Sequence, residues 1–237
     1  MKKSILRTAL NFSALALALC ISCGEKEDRE LPIDDKDDEV PASVGVLKMK
    51  VNDVDWNAKW AYTITTPLEE DEEDYFMVFI TGATSEYTDD EDPNGDALSF
   101  YIAIPKAKFS NPVGTYPLIN PDYMDEEYPA VAMFNKVNGN ESILYISMDK
   151  DGEDKPVGSV TIEKFKTGQQ RLLGQDLGQG YLELSGSFTV NEMVGFSSES
   201  ELPIEGAMKL TNGKFDVKNG WNGGIVGMSS KTVEATL

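Results

Sequence analysis

Along most of this chain, apolar and polar side chains alternate with a period of two. VGVLKMKV (44–51) sends Leu47, Met49 and Val51 to one face and Lys48 and Lys50 to the other. YLELSGSFTV (181–190) does the same with Leu182, Leu184, Phe188 and Val190 against Glu183, Ser185, Ser187 and Thr189. Successive side chains of an extended strand point to opposite faces, so the pattern predicts strands with one buried face. VDWNAKWAYTIT, YFMVFITGA, ALSFYIAIP, GTYPLI, AVAMFNKV, SILYISM and GSVTIEKF are further runs of this kind. Turn residues bound them: DPNGD (92–96), SNPVG (110–114), VNGN (137–140), DKDGEDKP (149–156) and TNG (211–213). Strands at roughly ten-residue spacing, with short loops and no convincing helical stretch, predict an all-β fold. The expected architecture is an antiparallel β-barrel or β-sandwich of about ten strands, with a lipocalin-like barrel among the options. No run repeats closely enough for a propeller or solenoid.

The first 43 residues break the pattern. Lys2, Lys3 and Arg7 precede ALNFSALALALCIS (9–22), an uncharged apolar run of 14 residues. A membrane-spanning helix needs about 20 apolar residues, so a secretory signal is expected instead. The run ends in cysteine, the residue that lipoprotein maturation requires, because its thiolate accepts a diacylglyceryl group before the preceding peptide bond is cut. The peptidase pocket takes a small residue just before that cysteine. Cys20 follows the bulky Leu19, whereas Cys23 follows Ser22 and precedes Gly24. Residues 1–22 are therefore the expected signal peptide, Cys20 leaves with it, and Cys23 is the expected lipid attachment residue. A redox or zinc CxxC would need a folded setting or further ligands, and the chain has two cysteines and no histidine. From Glu25 to Glu39, nine acids and three bases surround only Leu31 and Ile33. Such a segment cannot bury enough surface to offset chain entropy. Residues 23–43 are read as an acidic flexible tether, and 44–237 as one β-domain in which 219–237 is left unassigned.

The chain carries 21 bases against 41 acids, a net charge of −20, and removing residues 1–22 takes three bases and no acid. That balance excludes nucleic acid and anionic lipid as partners of the protein surface, since both demand basic patches. The membrane is expected as a partner only through the acyl chains, such as palmitate, on Cys23. One acylated cysteine leaves no internal disulfide, so a hydrophobic core must hold the domain together.

VNDVDWNAKW (51–60), NPVGTYPL (111–118), GSVTIEKF (158–165), LSGSFTV (184–190) and MKLTNGKFDV (208–217) occur in an order that resembles outer-membrane and surface lipoproteins of the Bacteroidota carrying an all-β domain of unknown function. Those proteins show a Trp after a VNG-type turn, then GTY, G-x-V-x-I, GxF and TNGxF. Asn52-Asp53 stands here where they often have Asn-Gly, and 219–237 find no counterpart. The resemblance implies an outer-membrane, lipid-anchored address, with GEKEDRE (24–30) similar to a surface-export signal. It implies no activity.

Absence of histidine removes Ser-His-Asp and Cys-His catalysis and the usual zinc sites. Catalysis would rest on carboxylates, as in glycosidases, but the acids gather in predicted loops, EEDEED (69–74), DDED (89–92) and DEE (125–127). Glu163 and Glu183 fall on the polar faces of their strands, so no residue is assigned as catalytic or cofactor-binding. Asp90, Asp92, Asn94, Gly95 and Asp96 copy half of an EF-hand loop, yet Tyr101 stands where a bidentate Glu belongs and Pro93 interrupts it. Asp149, Asp151 and Asp154 form a similar fragment. Asp, Asn, Gly and Pro are also what tight hairpin turns are made of, and the turn reading is preferred, so no metal ligand is assigned. Trp56 and Trp60, of one parity around Ala58, suit a platform for sugar rings or a pair of core anchors. Trp221, in NGWNGG, is expected to be exposed. The leading expectation is a non-catalytic, lipid-anchored envelope protein binding a glycan or another envelope protein. A carboxylate-dependent hydrolase and a structural lipoprotein with calcium-stabilised loops are the alternatives.

Overall fold

A computed structural model describes residues 45–70, 73–84, 95–125, 127, 129–138, 141–172, 175–197, 203–204 and 206–219. Cys20, Cys23, the tether, residues 85–94 and Trp221 lie outside them. Eleven strands form one sheet. They are β1 (Gly45–Val51), β2 (Val54–Asn57), β3 (Trp60–Glu70), β4 (Glu73–Ala83), β5 (Gly95–Pro105) and β6 (Gly114–Leu118), then β7 (Ala130–Asn138), β8 (Glu141–Ser147), β9 (Gly158–Leu172), β10 (Gln175–Ser197) and β11 (Met208–Asn219).

The pairings run β11-β3-β4-β5-β7-β6-β9-β10 and return to β11, closing a ring of eight strands. A ring of this number leaves an interior just wide enough for side chains to fill. Here Trp56, Phe100, Phe134, Phe188, Phe215 and Tyr181 fill it, together with aliphatic residues facing inward from the eight strands of the ring. Burying each such side chain contributes about 1.5–3 kcal/mol. Between β7 and β10 the wall is made twice over. At one end β8 spans the gap, pairing Met133↔Ile146 with β7 and Val194↔Ile146 with β10. At the other end β6 and β9 span it, and β6 touches β7 through a single parallel pair, Leu118↔Ala130.

Bulges change the faces that simple alternation predicts. Leu47, Met49, Leu184, Phe188 and Val190 are buried as expected, but the β9–β10 register slips between Tyr181 and Glu183, leaving Leu182 as the extra residue. Tyr181 therefore turns into the core, fully buried. TNG, expected as a turn, lies inside β11. Asn212 adopts φ 55° and both neighbouring ladders shift register there, so the three residues form a bulge within one continuous strand.

Asn52 and Asp53 both take positive φ, 47° and 69°, which is the two-residue hairpin turn that matches strand twist. The Asn52 carboxamide oxygen also accepts from the Lys209 N–H at 2.9 Å. Asp53 bears the left-handed conformation at a cost that glycine avoids. Asp53→Gly is expected to raise stability by about 0.5 kcal/mol, the net of removed strain and added chain entropy, read as a higher urea midpoint; a lower midpoint would contradict the strain argument.

The ring closes through polar side chains where β11 runs out. β1 covers the edge of β11 from Leu210 to Val217, and β3 then pairs in parallel at only two positions, Lys218↔Tyr62 and Asn219↔Thr63. Beyond them the Gln170 side chain reaches across β10 to β3. Its carboxamide oxygen accepts from the Thr65 N–H at 2.9 Å, and its amide donates to the Thr65 carbonyl at 2.8 Å. A peptide group of a neighbouring strand would make the same two bonds. The Thr65 hydroxyl accepts from the Tyr181 N–H, and the Asn219 amide donates to the Thr63 carbonyl and to Gln170. Gln170 passes directly over Gly180, where a Cβ would stand 1.8 Å from the Gln170 amide nitrogen.

Candidate functional site

β7 lies between β5 and β6, antiparallel to the first and parallel to the second. A parallel neighbour needs a crossover, and residues 119–129 supply it, laying Met124 on the outer cluster of Met77, Tyr101 and Val131. The ladder stops where that crossover arrives. Ala130 pairs with Ile102 and with Leu118, and Pro129 accepts one last bond from the Ala103 N–H. Past Pro129 no described strand stands between β5 and β6, a spacing of about 10 Å if the sheet repeat is kept. The result is an open groove of about 520 Å³, walled by Ala103 and Pro105 on one side and by Gly114, Thr115 and Pro117 on the other.

Strand alternation dictates which backbone groups face it. Leu118 turns its carbonyl toward the β9 side, where the Val157 N–H donates to it, so Thr115 and Pro117 turn theirs toward the groove. Pro117 has no N–H, and Thr115 presents both its N–H and its carbonyl. On the opposite wall Pro129 stands across from Ala103 and has no N–H to return the bond.

Two buried phenols hold the groove's closed end. The Tyr116 hydroxyl donates to the Pro112 carbonyl at 2.6 Å, and the Tyr181 hydroxyl to the Phe109 carbonyl at 2.8 Å. Burial pushes the Tyr116 hydroxyl up to about 12 and raises Tyr181 as well, with Tyr116 itself adding to the rise, so both remain protonated donors at neutral pH. The Phe109 ring packs between Phe76 at 4.2 Å and Tyr181 at 4.9 Å. This anchoring fixes the 3₁₀ turn Lys106–Lys108 and sets Lys108, Asn111 and Val113 at the groove's end. Val113 is 51% exposed, an apolar side chain left to solvent. Glu127, on the crossover, is exposed at the rim.

The residues singled out by sequence do not meet in this groove. Trp56 and Trp60 are not on one strand, because the chain bends at Ala58 and Lys59, whose N–H groups donate to Leu47 and Ala83. Trp56 packs in the core edge-on to Phe134 at 5.9 Å, while Trp60 stacks on Tyr62 at 5.7 Å, and both are buried. Core anchoring accounts for Trp56, whereas Trp60 is covered by its stack on Tyr62 outside the barrel core. Glu163 and Glu183 are exposed, bonded to Ser187 and Lys166. Asp149 is buried, but its carboxylate takes the Lys155 ammonium at 2.9 Å and the Asp151 N–H at 3.0 Å, which hold it below the usual carboxylate range. Gly152, at φ 73°, completes a turn by donating to the Asp149 carbonyl. Burial raises the Asp96 carboxyl, while the Lys136 charge and the nearby Trp56 indole oppose the rise. That indole N–H is buried without a hydrogen-bond partner among the described residues.

Among the described residues no helix is long and apolar enough to cross a membrane, and no group of three acids gathers as a metal site. No protein-family model matches the chain, and neither does a curated protein or a solved structure. The groove itself left a trace in the sequence. Proline inside a strand-like run restricts that run to a sheet edge, and Pro117 within GTYPLI marks β6 in that way.

Proposed function

We propose that this protein is a lipid-anchored lipoprotein of the cell envelope, held at the outer membrane by acyl chains on Cys23 and facing the cell surface, whose barrel binds a ligand in the groove between β5 and β6 without converting it. The groove carries the reading: it is the place where the backbone of an exposed residue, Thr115, lies beside an exposed apolar side chain, Val113. The filled barrel interior favours this outer site over a lipocalin-type central cavity. A carboxylate-dependent hydrolase would need two acids about 5–10 Å apart around the scissile bond, and among the described residues one acid, Glu127, lines the groove. The calcium-stabilised alternative loses support where Lys155 neutralises Asp149.

Two arms test the proposal. In a bacterial host that lipidates exported proteins, Cys23→Ala is expected to move the protein from the membrane to the soluble fraction, while Cys20→Ala leaves it in place. An N-terminal peptide beginning elsewhere than Cys23 would end the anchoring claim. For the groove, a Cβ on Gly114 meets nothing within 4 Å, so a larger side chain can start there, and Gly114→Phe is expected to crowd the opening, with far-UV circular dichroism checking that the fold is kept. Array signals from glycans or peptides that are lost in this variant support the site; equal signals from both proteins count against it.

A further inference from the structure

We propose that the outer face of β3, β4, β5, β7 and β8 is a self-association surface, against which a second copy of this chain packs sheet on sheet. The register aligns Tyr62, Thr81, Ser99, Met133 and Ile146 in one outward row across these five strands, and Ile64, Phe79, Tyr101 and Val131 in the next. The outward positions of β3 from Trp60 to Leu68, and those paired with them on the other four strands, include no charged residue. The remaining wall is the reverse, with Lys48, Glu183, Lys214, Asp216 and Lys218 outward and exposed. A strand with water on its outer side alternates apolar and polar residues, whereas one covered on both sides is apolar throughout. β4 and β5 are of the second kind: Val78, Ile80, Leu98 and Phe100 fill the barrel, while Met77, Phe79 and Tyr101 face away from it.

The face is suited to being covered. The crossover takes one end of it, where Met124 lies on Met77, Tyr101 and Val131. Beyond that end, Ile64, Phe79, Met133, Leu144 and Ile146 are half-buried. The hydroxyls of Thr81, Ser99 and Ser142 are already bonded within the face. Thr81 donates to the Leu98 carbonyl at 3.2 Å and lies 2.8 Å from the Ser99 hydroxyl, and Ser142 donates to the Asn135 carboxamide oxygen at 2.7 Å. Excluding water therefore leaves none of the three unpaired. The Thr66 hydroxyl is already buried, so covering the face costs it nothing. Aromatic residues and methionine, without Asp, Glu or Lys, are the composition found at the centre of a protein–protein contact.

Charge and area select a second copy as the occupant. A chain of net charge −20 repels its own copies, and a two-fold axis brings each charge near it against its equivalent. An uncharged face joins two such chains without a like-charge contact, and sheets stacked about 10 Å apart keep the lysine-bearing walls on the outside. Five strands about 4.8 Å apart and eight residue steps of about 3.3 Å give a face of roughly 24 Å by 26 Å. Less the end under Met124, that is roughly 500 Å² per copy, or about 1,000 Å² in all, the lower limit of a specific interface. The dimer is accordingly weak and set by concentration.

The test is analytical ultracentrifugation of the chain from residue 23 onward, without lipid and with Cys23→Ser to prevent a disulfide-linked dimer. Rising protein concentration is expected to convert monomer to dimer. Added salt is expected to favour the dimer, because screening weakens the repulsion between two acidic chains while the contact itself carries no charge. Over the same concentrations the Met133 and Ile146 methyl signals are expected to shift in NMR spectra, a readout that leaves the face unaltered. Met133→Lys, which sets a charge against its own copy, is expected to weaken the dimer about tenfold or more, whereas Lys214→Ala on the opposite wall leaves it unchanged. A chain that stays monomeric up to its solubility limit overturns the proposal. So does a dimer that salt loosens, or one that forms with both methyl signals unmoved. Methyl signals of a monomer that respond instead to zwitterionic lipid vesicles assign the face to the membrane, and the proposal falls.

Discussion

Gly180→Ala is expected to lower the unfolding free energy by on the order of 4 kcal/mol, because it strikes the ring at the place where a side chain does a strand's work. The new Cβ would stand 1.8 Å from the Gln170 amide nitrogen and 2.1 Å from its carboxamide carbon, so the amide has to move. Moving it strips partners from the Thr65 N–H and carbonyl, both within a fully buried residue, and each buried group left unpaired costs about 1–3 kcal/mol. Gln170→Ala removes the same two bonds and is expected to cost about 3 kcal/mol. The two changes share one cause, so they are expected not to add. With Gln170 shortened, a methyl at position 180 no longer meets the amide, and the double variant should fall near Gln170→Ala alone. Urea denaturation of the three variants measures this, and additive costs would show that Gln170 does not act through the space above Gly180.

Ser147→Ala is expected to cost about 3 kcal/mol, a large effect for the loss of one oxygen. Ser147 is fully buried, accepts from the Ala132 N–H at 2.9 Å and donates to the Ile119 carbonyl at 3.0 Å. It thereby ties β7 to the chain just after β6, next to the single pair that joins those strands. Alanine leaves both backbone groups buried and unpaired. Faster exchange of the Ala132 amide should accompany the lower stability. A cost below about 1 kcal/mol, with unchanged exchange, would mean that water replaces the hydroxyl.

The fold was legible where each strand has one wet and one dry face. β1, most of β10 and the turns at 110–114 and 149–156 follow from alternation and turn residues alone. It was hidden where the chain departs from that rule. In β3 the inward positions are Ala61, Thr63 and Thr65, and the outward ones include Tyr62 and Ile64, the reverse of a hydrophobic reading. The threonines face inward because the seam needs hydroxyl and backbone partners for Tyr181, Asn219 and Gln170. Likewise one extra residue at Leu182 put Tyr181 into the core, and a bend at Ala58 separated two tryptophans that parity had paired. The groove was half legible. Pro117 marks an edge, but which strand fails to cover it depends on Ala130 and Pro129, and their pairing is a property of the assembled sheet. Cys23 stands at the opposite extreme, since its assignment rests on local sequence chemistry and its surroundings lie outside the described residues.

The two-position contact between β3 and β11 also governs when the barrel can form. β1 and β3 come early in the chain, and their shared partner β11 begins at Met208, more than 150 residues after Val51. Contacts so far apart in sequence form slowly, on the order of milliseconds to seconds for sheet proteins. A chain exported in the way proposed would thus reach the far side of the membrane as an open, unclosed sheet, with the long β9–β10 hairpin able to pair first. Only the arrival of residues 208–219 permits circular closure, so a synthesis or translocation arrest before Met208 should leave an aggregation-prone, protease-sensitive intermediate.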